Sequence, residues 1–107
     1  MSEYTRYDFS ETMCALGGDV VPVKVLRAWG VCGDYAEWSG GFVLLLQDGR
    51  YAYVSGWCDT TGWGCQDGVD VEYSDTLEGL GLPVDQDWDE EPADLNRWLA
   101  SGGTYDD

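Results

Sequence analysis

The chain has 107 residues, of which 21 are acidic, five are basic and none is histidine, for a formal net charge of −16, while 44% are hydrophobic and six are tryptophan. This length fits a single domain over residues 1–107, and the apolar content excludes a wholly disordered chain. The shortage of lysine and arginine excludes direct binding to nucleic acid or to an anionic membrane, since both need clustered basic side chains.

The first predicted element is a short helix near residues 8–17. Phe9, Met13 and Leu16 recur at the spacing of one helix face, and a glycine pair then ends the pattern. Residues 20–29 follow as a strand, in which Pro22 marks an edge or a strand start because proline cannot donate a ladder hydrogen bond.

The strongest structural signal is a β-hairpin across residues 41–57. Two strand-like runs, 42–46 and 51–54, flank Asp48-Gly49, a dipeptide that favours a hairpin turn because both residues tolerate positive φ. Alternation predicts Val43 and Leu45 on one face of the sheet and Phe42, Leu44 and Leu46 on the other.

Three further elements are predicted after the hairpin. They are a short strand over residues 69–73, a helical turn over 74–79 capped by Ser74, and a C-terminal helix of about three turns with Pro92 at its first position. The predicted fold is α+β, a small antiparallel β-meander of three or four strands with one or two short helices packed on one face. The C-terminal helix should pack through Leu95, Trp98 and Leu99.

Charge is divided unevenly along the chain. Residues 1–50 hold seven acidic and four basic residues, whereas residues 51–107 hold fourteen acidic residues and Arg97 as their only base. Twelve of the acidic residues fall within 59–94. No repeat or low-complexity linker separates the two halves, so the asymmetry predicts a strongly negative surface on one domain.

The hairpin is followed by Trp57-Cys58-Asp59-Thr60-Thr61-Gly62-Trp63-Gly64-Cys65-Gln66. Over residues 41–68 the chain resembles small acidic proteins of actinobacteria and their phages. The resemblance implies an accessory or phage-encoded protein and brings no activity or site residues with it. The N-terminus lacks the pattern of a secretory signal and no apolar run could span a bilayer, so we expect a protein in the cytoplasm of a bacterial host.

Six residues separate Cys58 from Cys65, so the two sulfurs could meet across a tight loop as a disulfide. In a reducing compartment the same pair would remain buried thiols, and both interpretations stay open. A zinc site would need all four cysteines, because histidine is absent, and the C-x-x-C spacing of structural zinc sites is missing. We predict no metal and no cofactor.

The run Asp85-Gln86-Asp87-Trp88-Asp89-Glu90-Glu91 begins with the ligand spacing of a calcium loop. The match then fails, because Glu90 stands where the loop requires glycine and Asn96 where it requires a bidentate carboxylate. We interpret the run as a solvated acidic stretch, with weak cation binding as the alternative.

No catalytic motif is present. The chain has no histidine to activate a serine or cysteine nucleophile, and no G-x-S-x-G, P-loop or G-x-G-x-x-G pattern. The sequence therefore predicts a protein that is not an enzyme.

The leading hypothesis is a nucleic-acid mimic, since B-form DNA carries about one negative charge per 1.7 Å of its axis. Such a protein binds a basic protein and blocks the substrate groove of a nucleic-acid-binding host system, as an anti-CRISPR or anti-restriction inhibitor. The alternatives are a passive or host-takeover accessory protein with an apolar or tryptophan patch, and a sugar- or cation-binding module. The predicted partner-binding residues are Asp67, Asp70, Glu72, Asp75, Asp85, Asp87, Asp89 and Glu90, with Trp63 or Trp88 as an apolar anchor.

Overall fold

The structure is a computed structural model that describes residues 4, 9, 12–13, 16–17, 19–32, 38–59, 66–84 and 86–101, with the backbone alone described at 32, 58–59 and 66–67. Its centre is a five-stranded antiparallel sheet in the order β4-β3-β2-β1-β5. The strands are β1 (Pro22–Cys32), β2 (Trp38–Leu46), β3 (Tyr51–Asp59), β4 (Gln66–Ser74) and β5 (Asp89–Glu90). A 3₁₀ turn (Leu77–Gly79) follows β4, and helix α1 (Ala93–Ala100) follows β5.

The α+β class and the antiparallel meander are confirmed, because β1 to β4 lie side by side in chain order. The sheet has five strands instead of the predicted three or four. The additional strand, β5, is two residues long and pairs only with Arg27 and Ala28. So short a strand has no periodic pattern from which it could be predicted.

The hairpin of β2 and β3 is confirmed, and its loop is longer than a two-residue turn. The Leu46 N–H donates to the Arg50 C=O at 2.9 Å, and the Gly49 N–H donates to the Leu46 C=O at 3.0 Å. Gly49 has a φ of 90°, whereas Asp48 is not among the residues with positive φ. These features define a three-residue loop with a glycine bulge, in which positive φ is needed at Gly49 alone.

One face of the sheet, which we call the helical face, packs against α1 and the N-terminal residues. The predicted helix at 8–17 lies largely outside the described residues, although Phe9 and Thr12 have helical backbone. Phe9 is fully buried, and Met13 and Leu16 pack around the same cluster. The buried residues of this face are Phe9, Val25, Ala28, Phe42, Leu44, Leu46, Ala52, Val54 and Leu95.

Helix α1 has eight residues, about two turns instead of the predicted three. Pro92 occupies its N-cap position, one residue before the predicted place. The predicted apolar face is confirmed, because Leu95 is buried on the sheet while Trp98 and Leu99 pack beside it. Within the described residues, no helix is long and apolar enough to cross a membrane.

The opposite face, which we call the crossover face, is covered by residues 75–88. This segment leads from β4 at one edge of the sheet to β5 at the other, and its Leu80 is buried against Val43 and Tyr53. The sheet is therefore covered on both faces and not only on the predicted one. The predicted Ser74 cap is also wrong: Ser74 ends β4, and the Thr76 side chain caps the 3₁₀ turn by accepting from the Gly79 N–H at 3.1 Å.

Candidate functional site

Each of the four basic residues that the structure describes forms an ion pair. These pairs lie at the β1–β5 edge, in the hairpin loop and on α1, and their side chains are largely exposed. Exposed pairs contribute little to stability, but each cancels a negative charge locally. The pairs are Lys24 with Glu91, Arg27 with Glu90 at 3.1 Å, Arg50 with Asp48 at 2.8 Å, and Arg97 with Asp94 at 2.9 Å.

The described acidic side chains of β4 and of the turn after it have no such counterion among the described residues. Asp70, Glu72, Asp75 and Glu78 are exposed, and none of them takes part in an ion pair among the described residues. We call these four residues the acidic edge. The charge of Asp75 contributes to the rise in the pKa of Arg50, which the hydrogen bond to Asp48 chiefly causes.

The acidic edge is fixed to the fold at Glu72, whose carboxylate accepts a hydrogen bond from the Gly81 N–H at 2.9 Å. Glu72 lies opposite Tyr53 in β3, and Asp70 lies opposite Ser55. Directly paired residues share a face, so both carboxylates lie on the crossover face. The alternate residues Val69 and Tyr73 are 42% and 37% exposed. Strand β4 therefore presents an acidic row on one face and a partly exposed apolar row on the other.

Trp57 lies beside the acidic edge with 45% of its surface exposed. It pairs with Gly68, where an added Cβ would lie 2.7 Å from the Trp57 Nε1. The indole therefore rests on the Gly68 backbone, two residues along β4 from Asp70. Trp57 was not among the predicted anchors, although the alternation with Tyr51 and Tyr53 places it on the crossover face.

Another aromatic side chain of β3, Tyr53, lies on the same face four residues from Trp57. Tyr53 lies across Gly41, where an added Cβ would come within 2.5 Å of the ring, and its hydroxyl accepts a hydrogen bond from Trp29 Nε1 at 2.9 Å. Burial raises the pKa of Tyr53. The contacts of Tyr53 with Gly41 and Trp29 hold β3 in the position that supports the acidic edge.

The predicted partner-binding acids divide between the two edges of the sheet. Asp70, Glu72 and Asp75 belong to the acidic edge, and the Asp67 backbone lies in β4 opposite Cys58. The other pair, Asp89 and Glu90, forms β5, four strand spacings or about 19 Å away. Asp89 accepts a hydrogen bond from Tyr4 Oη at 2.9 Å, and Glu90 accepts one from Arg27 Nε at 3.3 Å. Those two acids are therefore engaged within the fold.

Three predicted residues lie between the edges or outside the described part of the chain. Asp87 is exposed in the crossover segment, whereas Asp85 and Trp63 lie outside the described residues. Trp88 is half-buried: its ring centroid lies 6.1 Å from that of Tyr53, and its Nε1 donates to the Pro83 C=O at 3.3 Å. Trp57 is the more accessible indole beside the acidic edge.

The predicted Cys58–Cys65 pairing involves a residue outside the described part of the chain. The backbones of Cys32 and Cys58 flank Trp38 in one cross-strand row. The described residues contain no group of three or more potential metal ligands. Asp89, a ligand in the calcium-loop pattern, is instead part of β5.

No family model matches the chain, and no curated protein or solved structure matches it.

Proposed function

We propose that the protein is a non-enzymatic inhibitor that mimics nucleic acid. It binds a basic protein in the cytoplasm of a bacterial host, at the groove through which that protein holds DNA or RNA, as in an anti-CRISPR or anti-restriction mechanism. The observation that carries the proposal is the acidic edge, which keeps its charge while every described basic residue is paired with an acid elsewhere.

The spacing of the acidic edge suits this role. Asp70 and Glu72 are two residues apart in β4, which separates them by about 6.7 Å on one face of the strand. The pair can therefore present two negative charges side by side to a basic groove. Asp75 and Glu78 extend the negative surface beyond the end of the strand.

Trp57 supplies a contact that a phosphate backbone lacks. Arginine guanidinium groups stack on indole faces, and an exposed tryptophan beside carboxylates can hold an arginine by both interactions. This combination supports a protein partner rich in arginine. Repulsion among the charges of a molecule of net charge −16 lowers its stability. The same charge speeds association with a basic partner, which gives the acidity a function.

The proposal is tested by capture from bacterial lysate with the immobilised protein. Duplex DNA, or salt at about 0.5 M, should release the captured proteins if they are held at nucleic-acid-binding grooves. The edge variant carries Asp70→Asn, Glu72→Gln and Asp75→Asn. The control variant carries Asp19→Asn, Glu91→Gln and Asp94→Asn, which change the net charge equally at other sites.

We expect the edge variant to capture about tenfold less protein than the control variant, which should behave like wild type. Equal capture by both variants, or captured proteins that DNA does not release, would overturn the proposal.

A sugar-binding module is the second candidate, because the exposed Trp57 ring lies beside Ser55 and Asp70. An oligosaccharide array separates the two functions. Saturable binding to one glycan that is lost in Trp57→Ala but kept in the edge variant would favour the sugar site.

A further inference from the structure

We infer that β4 is a docking strand, to which an extended basic segment of the partner adds as a sixth strand of the sheet. The inference rests on the proposed function and specifies how the partner is held. It combines an open strand edge with the two rows of side chains that β4 presents.

The middle of the β1 edge, from Val25 to Ala28, is closed by the chain itself. Strand β5 pairs with Arg27 and Ala28, and the Glu91 N–H donates to the Leu26 C=O at 2.9 Å. The Asn96 side chain satisfies the next position, accepting from the Val25 N–H at 2.7 Å and donating to the Val25 C=O at 3.0 Å. The backbone groups of β1 from Val25 to Ala28 are thus provided with partners.

The β4 side is different. Among the described residues β4 pairs only with β3, in a continuous register of nine residues without a bulge. Alternate N–H and C=O groups of such a strand point outward, ready to pair with another strand. Proline, bulges and charged side chains commonly protect exposed edges from pairing. Gln66–Ser74 contains no proline and no bulge, and its charged residues are all acidic, so they disfavour an acidic strand and not a basic one.

The side chains of β4 specify the sequence of the added strand. On the crossover face, Asp70 and Glu72 favour lysine or arginine directly opposite them, because opposite charges in cross-strand pairs are stabilising. On the helical face, Val69 and Tyr73 are partly exposed, and Arg50 Cζ lies 5.4 Å from the centroid of the Tyr73 ring. A further cation is disfavoured beside Arg50, so this face favours apolar residues. The complementary segment therefore alternates basic and apolar residues with a period of two.

A second copy of this chain is a poor occupant of the same edge. Two β4 strands paired on the same sheet would place acidic rows side by side, and like charges in cross-strand positions are destabilising. Each molecule also carries a net charge of −16, which opposes self-association. Charge complementarity thus selects a basic partner.

The test uses a capped nine-residue peptide of alternating lysine and valine as the probe. Two modified peptides carry the same charge, one N-methylated at every lysine and the other at every valine. Since alternate amides of a strand point to opposite sides, only one modified peptide loses the hydrogen bonds that would join it to β4. That peptide should bind about tenfold more weakly, while the other binds like the unmodified probe.

Amide exchange gives the second readout. Alternate amides of β4 that exchange rapidly in the free protein should be slowed about tenfold or more when the unmodified peptide is bound in excess. The double variant Asp70→Asn, Glu72→Gln should weaken peptide binding about tenfold, and the control Asp19→Asn, Glu91→Gln should not.

The inference is overturned if both methylated peptides bind as well as the probe while the β4 amides stay unprotected. If peptide binding in that case still depends on Asp70 and Glu72, the proposed function is retained and only the docking strand is rejected. The inference also fails if no peptide binds, and the lysate capture then decides the proposed function separately. Protection that appears without peptide and grows with protein concentration would assign the edge to a second copy and contradict the inference.

Discussion

Asn96 of α1 forms two hydrogen bonds with the backbone of Val25, one to its N–H at 2.7 Å and one to its C=O at 3.0 Å. The same side chain donates to the Pro92 C=O at 3.0 Å, which fixes the amide to the start of the helix. A helix residue thus takes the place of a neighbouring strand beside β1. This closure covers the middle of β1, whereas β4 pairs along its whole length with β3 alone among the described strands.

Asn96→Ala should destabilise the protein substantially. Val25 is fully buried, so the variant leaves a backbone donor and acceptor without partners, at a cost of about 2–4 kcal/mol. Urea unfolding followed by circular dichroism measures the change. Arg97→Ala, at an exposed position of the same helix, is the matched control and should cost about 0.5 kcal/mol or less. Equal losses for the two variants would show that the Asn96 bonds are not structural.

Gly49→Ala should destabilise the hairpin through backbone strain alone. Gly49 has a φ of 90° and nothing lies within 4 Å of an added Cβ, so no steric clash contributes. We expect a loss of about 1–2 kcal/mol in the free energy of unfolding. Gly49→Asn should cost less, because asparagine tolerates positive φ better than alanine. Thermal unfolding of both variants checks the order, and the reverse order would contradict the assigned loop geometry.

The free energy of unfolding should decrease at alkaline pH because Tyr4 loses its proton there more readily in the unfolded chain. Burial, with the hydrogen bond to Asp89, raises the pKa of Tyr4 above its ordinary value of 10.0. The folded chain therefore holds this proton more tightly than the unfolded chain does. The resulting stability is present below pH 10 and is lost as the pH rises above it.

Tyr4→Phe should flatten this pH dependence. Urea unfolding between about pH 9 and pH 11 should show a smaller loss of free energy in the variant than in wild type. Tyr73→Phe, at a more exposed tyrosine, is the control for removal of one phenol. A slope unchanged by Tyr4→Phe would contradict the role assigned to the Tyr4–Asp89 bond.

Reversing charges at the acidic edge should leave the fold intact. One variant combines Asp70→Lys, Asp75→Lys and Glu78→Lys. It lowers the repulsion between acidic side chains and keeps the hydrogen bond between Glu72 and the Gly81 N–H. The unfolding midpoint should be unchanged or raised at low salt. The difference should shrink at about 1 M salt, where the Debye length is about 3 Å. A lowered midpoint at low salt would mean that these carboxylates stabilise the fold.

The sequence predicts those elements whose periodicity is local. The hairpin and the Leu95 face of α1 follow from alternation and helical spacing, and both are confirmed. Strand β5 and the crossover segment have no local signal, because contacts distant in sequence hold them, such as Trp88 on Tyr53 and the bond from Glu91 to Leu26.

The negative charge of the candidate site was predictable from the sequence, but its geometry was not. The surplus of acids after residue 50 identifies the acidic part of the surface, but not its division between two edges. That division depends on the course of residues 75–88 across the sheet. The exposure of Trp57 depends on its pairing with Gly68, which only the register of β3 and β4 determines.

Competition between this protein and duplex DNA for a captured partner tests the nucleic-acid mimicry most directly. With the purified partner bound to labelled DNA, the protein should displace the DNA completely, and its apparent affinity should fall steeply between about 50 mM and 200 mM salt. The edge variant Asp70→Asn, Glu72→Gln, Asp75→Asn should compete about tenfold less well than the matched control variant. A ternary complex of partner, DNA and this protein, or competition independent of the acidic edge, would contradict the mimicry.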